Sequence, residues 1–171
     1  MSRIIMLAIV MLTVAAACSG KKDDCPWEIS DRGVVIDGIT WATRNVSVAG
    51  RFVSRPENAG RTFTFDQAQT ACPEGWRPPT KEELKSLSEA ESAKITVNGI
   101  NGRLFGGGSG CIFLPNSGEG KYYGTYWSGD THVYENETFG IALTFDDHSS
   151  EVFANVITYK NSDFSVRCVK K

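Results

Sequence analysis

The sequence predicts an α+β domain in which two short helices pack on a mainly antiparallel sheet that opens with a hairpin. Three observations lead there. Thr64-Phe65-Asp66-Gln67 and Thr80-Lys81-Glu82-Glu83 each set a hydroxyl three residues before a Gln or Glu, the spacing of a capping box that starts a helix. After about residue 92 no helical period recurs, and apolar residues alternate with polar or small ones instead. Near the start, Val34-Val35-Ile36 and Ile39-Thr40-Trp41 are β-prone runs separated by Asp37-Gly38, a dipeptide that tolerates the positive φ angles of a type I′ turn.

Each element follows in chain order. Beyond the hairpin, Asn45 to Arg61 is rich in Gly, Pro, Asn and Arg without a sustained period, which predicts a surface loop. The first helix should run from Thr64 to about Cys72, where Pro73 stops it. Pro73 to Pro79 is a turn containing Trp76, and Leu84 with Leu87 give the second helix one apolar stripe to about Ala90. From Ile95 to Gly120 the chain is glycine-rich, with Asn98-Gly99 and Asn101-Gly102 as turn signals and Cys111 to Leu114 as a short apolar run. Strands are expected at Tyr122 to Ser128, at Phe139, Ile141, Leu143 and Phe145, at Val152 to Tyr159, and at Phe164 to Cys168. In the last, Phe164, Val166 and Cys168 should point inward and Ser165, Arg167 and Val169 the other way. Trp41, Trp76 and Trp127 are expected to be structural.

The first residues predict export. One basic residue, Arg3, precedes a run from Ile4 to Ala17 that is too short for the roughly 20 apolar residues of a membrane span and suits a signal peptide over residues 1–17. Ala15-Ala16-Ala17-Cys18 resembles a lipobox, with Ala15 where Leu is usual, and predicts lipidation of Cys18; ordinary cleavage after the Ala15-Ala16-Ala17 pattern is the alternative. Residues 18–32, beginning Cys18-Ser19-Gly20-Lys21-Lys22-Asp23-Asp24, read as the lipidated N-terminus and tether, and residues 33–171 as the domain. The Lys-Asp-Asp run resembles the lipoprotein export signal of Bacteroidota, which implies an outer-membrane protein facing the cell exterior. Without residues 1–17 the balance is 17 cationic residues against 20 acids, a charge of about −3, which argues against nucleic acid.

Five cysteines are an odd number; giving Cys18 to lipid leaves four, and an exported chain can pair them. Cys72 closes a helix and Cys168 lies on the inward face of the last strand, so a bridge between them would tie the two together, worth about 4 kcal/mol in the chain-entropy model. Cys25 and Cys111 would form a second bridge. Three connectivities remain open from the residues alone.

Gly-Ile-Thr-Trp-Ala-Thr-Arg-Asn-Val (38–46), Ala-Cys-Pro-Glu-Gly-Trp-Arg-Pro-Pro-Thr (71–80), Tyr-Trp-Ser (126–128) and Ser-Val-Arg-Cys-Val (165–169), in this order, resemble the Fibrobacter succinogenes major paralogous domain, a family common in Bacteroidota lipoproteins. The resemblance runs from Gly33 to Val169. It implies a C-type lectin-like fold with two helices, a curled sheet and termini lying together, and it implies the Cys72–Cys168 bridge. The family has no settled activity, and fold alone does not fix one. The Glu-Pro-Asn or Gln-Pro-Asp and Trp-Asn-Asp signatures of calcium-dependent lectins are absent, so calcium has no motif behind it.

His132 and His148 sit among acids and hydroxyls, as surface histidines do. The chain holds no His-Glu-x-x-His, Cys-x-x-Cys or Gly-x-Ser-x-Gly, and Gly106 to Gly110 and Gly118 to Lys121 lack the Ser or Thr that a phosphate loop places after its Lys. Candidate ligand-binding residues are Asp130, Tyr134 and Asn136, together with Asp146 and Asp147 after the next strand; carboxylates and amides suit sugar hydroxyls, and Tyr126, Trp127 or Tyr134 could stack on a sugar face. The expected function is a non-enzymatic binding module, without cofactor or metal, held to the membrane by its lipid and recognising a glycan or cell-surface protein. The alternative is a structural component of the envelope or of an adhesin complex, which an exposed apolar patch would favour. An enzyme would need a pocket that pairs a nucleophile with a base.

Overall fold

The computed structural model describes residues 32–107, 110–117 and 121–171. The signal peptide, Cys18, Cys25 and most of the tether therefore lie outside the described residues. Strands β1 (Val34–Ile36) and β2 (Ile39–Trp41) form the expected hairpin, with Asp37 at φ 50° and Gly38 at φ 80° in the turn. Two short strands, β3 (Val46–Val48) and β4 (Arg51–Phe52), lie within the segment expected to be all loop. Gly50 at φ 80° lets the chain reverse between them.

Helix α1 covers only Phe65–Ala68 and does not reach Cys72. Its capping box is present, the Thr64 N–H donating to Gln67 Oε1 at 3.1 Å, but Gln69 to Cys72 turn away before Pro73. After β5 (Trp76–Arg77), helix α2 runs over Lys81–Glu89 and stops at Ala90, as expected. Thr80 Oγ1 accepts from the Glu83 N–H, and Glu83 Oε2 accepts from the Thr80 N–H. Glu83 also takes both terminal nitrogens of Arg77 at 2.7 Å. Burial opposes the Glu83 charge, yet Arg77 and Thr80 outweigh it and hold the carboxyl below its ordinary range.

The glycine-rich stretch becomes an antiparallel three-stranded sheet: β6 (Ser92–Val97), β7 (Ile100–Gly107) and β8 (Gly110–Pro115). Asn98-Gly99 is the expected turn, at φ 49° and 81°. Asn101-Gly102 is not a turn; it lies inside β7, where a Cβ on Gly102 would come within 2.4 Å of the Leu114 carbonyl and 2.6 Å of the Phe113 ring. That glycine serves packing rather than reversal.

The longest strands, β9 (Tyr123–Tyr134) and β10 (Glu137–Asp146), pair with β11 (Val152–Thr158) in the order β11-β10-β9. Phe164 to Cys168 joins its neighbours through isolated bridges at Phe164 and Ser165 and through single backbone bonds from the Val46 and Ala42 N–H groups, and the last strand, β12 (Val169–Lys170), lies between β2 and β5. All named strand pairs are antiparallel, so the fold is α+β, mostly strand with short helices.

Successive side chains on a strand point to opposite faces, and β9 uses both. Tyr126 enters a core with Trp41, Leu84, Leu87, Leu143 and Phe145 on the α2 side, whereas Trp127 enters one with Phe65, Ala68, Trp76 and Val166 on the α1 side. Trp127 lies edge-on to Phe65 at 5.4 Å, and its Nε1–H donates to the Phe63 carbonyl. Trp41, Trp76 and Trp127 are all buried, as expected of structural residues. The Cys72–Cys168 disulfide closes the α1 side across 96 residues of sequence. Cys111 is also disulfide-bonded; Cys25, its expected partner, is outside the described residues.

Candidate functional site

The structure does not bring the five ligand-binding candidates together. Tyr134 and Asn136 sit at the β9–β10 hairpin turn, where Glu135 and Asn136 take positive φ and the Tyr134 side chain is exposed. Asp146 and Asp147 lie at the other end of β10, ~30 Å away at ~3.3 Å per residue. An antiparallel hairpin puts its turn and its open end at opposite ends of the sheet, so the two groups cannot share one ligand. Asp130 lies between them on β9, its Oδ2 accepting from the Lys81 N–H at the start of α2.

The two aspartates at the open end are occupied by the protein itself. Asp146 Oδ1 accepts from the N–H groups of Ser149 and His148, and these bonds hold its carboxyl below the ordinary range. Asp147 accepts from Asn116 Nδ2 through Oδ1 and from Asn101 Nδ2 through Oδ2. Among the described residues no group of three or more His, Cys, Asp or Glu could hold a metal ion. His148 is exposed and stacks on Tyr122, while His132 is half-buried on β9.

A concave site lies elsewhere. A cleft of about 560 Å³ opens where the loop after β4 meets the β6–β7 turn and the segment following β8. That volume is within the ~300–1,000 Å³ usual for small-molecule sites. One wall is Arg55, Glu57, Asn58, Ala59 and Gly60, and it is built rigidly. The Asn58 N–H donates to the Arg55 carbonyl, and Asn58 Oδ1 accepts from the Gly60 N–H at 2.9 Å. Gly60, at φ 74°, passes so near the Val46 carbonyl that a Cβ would sit 2.2 Å from it. No other residue fits there.

Opposite this wall stand Asn98 and Ile100, and Asn98 Nδ2 crosses to Glu57 Oε1 at 2.8 Å. Asn116, Ser117 and Lys121 complete the lining. Asn116 is buried, with Nδ2 shared between the Lys121 carbonyl and Asp147 Oδ1, while its Oδ1 has no donor. A buried acceptor without a donor is uncommon and costs on the order of 1–3 kcal/mol. The side chains of Arg55 and Lys121 have no hydrogen-bond or ion-pair partner among the described residues.

The core supports both walls through one buried polar network. Asn45 Nδ2 donates to the Ala59 carbonyl at 2.9 Å and to Tyr126 Oη at 3.3 Å, and Tyr126 Oη donates to the Pro115 carbonyl at 2.6 Å. Arg167, expected to point away from the core, is fully buried instead. Its Nε, Nη1 and Nη2 donate to Asn45 Oδ1, the Ala42 carbonyl and the Phe113 carbonyl at 2.8, 2.9 and 2.8 Å. Burial pushes its pKa down to about 10, so it remains a cation at neutral pH, and the three oxygens solvate it in place of a carboxylate. Burial likewise pushes the Tyr126 hydroxyl up to about 12. The network thus fixes Ala59 on one wall and Pro115, beside Asn116, on the other.

Sequence reasoning missed the cleft because its residues come from three separated loops of unremarkable polar composition. The signal that was present is the concentration of Arg, Glu, Asn and Gly in the segment 45–61, together with the Asn98-Gly99 turn. Searches of family models, of curated proteins and of solved structures find no match to this chain.

Proposed function

We propose that this chain is a non-enzymatic binding module of the Fibrobacter succinogenes major paralogous domain family, with a C-type lectin-like fold, displayed at the outer surface of the outer membrane on a lipid attached to Cys18. Its ligand is a glycan or a cell-surface protein, engaged through the polar cleft. The observation that carries this reading is the cleft itself: among the described residues, a hydrogen-bonded wall, three amide side chains and two unpartnered cations around one concavity. Amides and fixed charges orient a ligand without transforming it. Among the described residues Glu57 is the single carboxylate of the lining, Asn98 occupies one of its oxygens, and no nucleophile is paired with a base there.

The two arms of the proposal are tested separately. Incorporation of labelled fatty acid that is lost in Cys18→Ser, with protease sensitivity on intact cells, tests the anchored and outward-facing placement. A glycan and surface-protein array probed with the full chain, with and without calcium, tests binding; reproducible saturable signal supports the module, and a blank in both conditions counts against it.

One observation favours a second reading, an assembly component. Edge strand β11 carries no charged residue and exposes Phe153 and Ile157, with Tyr159 exposed just beyond it. An uncharged apolar edge is suited to pairing with another strand. A concentration-dependent mass in solution that Ile157→Lys abolishes would favour this reading over the first.

A further inference from the structure

Resting on the reading of the cleft as the ligand site, we propose that its ligand is an acidic saccharide, one bearing carboxylate or sulfate groups, which Arg55 and Lys121 engage while the amides hold its hydroxyls. Arg55 and Lys121 are exposed, line the same cleft and have no partner among the described residues. Glu57, the only acid among the described residues of the lining, is buried and engaged by Asn98. The described lining is therefore locally positive on a chain whose formal net charge is −2, so its sign does not follow from composition. Two cations facing one concavity repel each other and attract an anion. Arg55 adds a planar fork that matches a carboxylate or sulfate in two parallel hydrogen bonds.

The rest of the lining selects for hydroxyls. Asn58, Asn98 and Asn116 supply both donors and acceptors, and Ser117 adds a group that can be either. Asn58 and Asn98 are exposed, so their remaining capacity faces solvent or a ligand. Ile100 and Ala59 are the apolar side chains among the described residues of the lining, the others being polar or charged apart from Gly60. A cleft of about 560 Å³ is also larger than a bare inorganic anion fills. A hydroxyl-rich ligand with an anionic substituent satisfies the size, the amides and the charge together.

The test is isothermal titration of the full chain with tetrasaccharides of galacturonate and of hyaluronate, their carboxyl-reduced neutral forms, a sulfated galactan tetrasaccharide and an aspartate-rich peptide. The variants are Arg55→Ala and Lys121→Asn, the latter chosen because Lys121 has φ 58°, a region Asn tolerates. At least one acidic saccharide should bind, with its uncharged form at least tenfold weaker, and each variant should lose at least tenfold with an unchanged melting midpoint. The ranking of carboxylate against sulfate identifies which group the cations read. Equal binding of a neutral form, unaffected by either variant, overturns the acidic assignment and leaves the cleft reading standing. Binding of the peptide alone overturns the saccharide. No binding by any probe, together with a blank array, removes the cleft reading itself.

Discussion

Replacing Asn45 by alanine is expected to cost about 3 kcal/mol of folding stability. Asn45 is fully buried and serves three partners at once: it accepts from Arg167 Nε and donates to the Ala59 carbonyl and to Tyr126 Oη. Alanine leaves the Arg167 Nε–H without an acceptor, at ~1.5–3 kcal/mol for a bond to a charged group, and deprives the Ala59 carbonyl of the shorter of its two side-chain donors, the other being Ser165 Oγ at 3.5 Å, for up to ~1 kcal/mol more. The long bond to Tyr126 adds little, because that hydroxyl keeps the Pro115 carbonyl. At ~2–4 °C per kcal/mol for a chain of this size, the melting midpoint should fall by ~10 °C. Asn45→Asp separates the contributions: it keeps an acceptor for Arg167 and removes both donors, so it should fall between wild type and alanine. Urea unfolding followed by tryptophan fluorescence reads all three proteins. A cost below ~1 kcal/mol for Asn45→Ala would refute the claim that this network holds the cleft walls to the core.

Three further outcomes are expected. Opening the Cys72–Cys168 bridge as Cys72→Ser, Cys168→Ser should cost ~4–5 kcal/mol for a closed loop spanning 96 residues of sequence, measured by urea unfolding under non-reducing conditions. Tyr126 should ionise late, near pH 12, in an absorbance titration, and that late phase should vanish in Tyr126→Phe. Because its folded pKa is raised, the stability it contributes is complete below the ordinary tyrosine value near 10 and is lost as pH rises from there through about 12. The folded pKa of Glu83 is lowered instead, so its contribution is present above the ordinary carboxyl value and is lost as pH falls through the folded one; Glu83→Gln should cost ~1 kcal/mol at neutral pH and flatten the acid limb of the stability profile.

How much of this was legible depended on whether the signal was local. The Asp37-Gly38 hairpin and both helix starts were readable because turn conformation and capping depend on residues within a few positions of each other. The Cys72–Cys168 bridge was one of three connectivities the residues left open, and the resemblance implied it. Asn101-Gly102 misled because a glycine needed for close approach to Phe113 resembles one needed for a turn, and the difference lies in a neighbouring strand. Arg167 misled for a related reason. Alternation assigns it to a face, but three oxygens from distant segments decide that the face is buried. The phrases that carry the family resemblance contain Trp41, Asn45, Trp76, Tyr126, Trp127 and Arg167, all of which build the core. The cleft residues Arg55, Asn98 and Lys121 lie outside those phrases, so the phrases mark buried positions and leave the site unread.

The central claim is that ligand enters the cleft rather than docking on the hairpin turn. The measurement that decides it compares array binding of the full chain with that of Ile100→Trp, which fills the cleft from the start of β7, and of Tyr134→Ala, Asn136→Ala at the turn. The account predicts that the cleft-filling variant loses binding while the turn variant keeps it, with both melting as cooperatively as wild type. Loss in the turn variant with full binding by Ile100→Trp would contradict the account and place the site on the exposed end of the sheet.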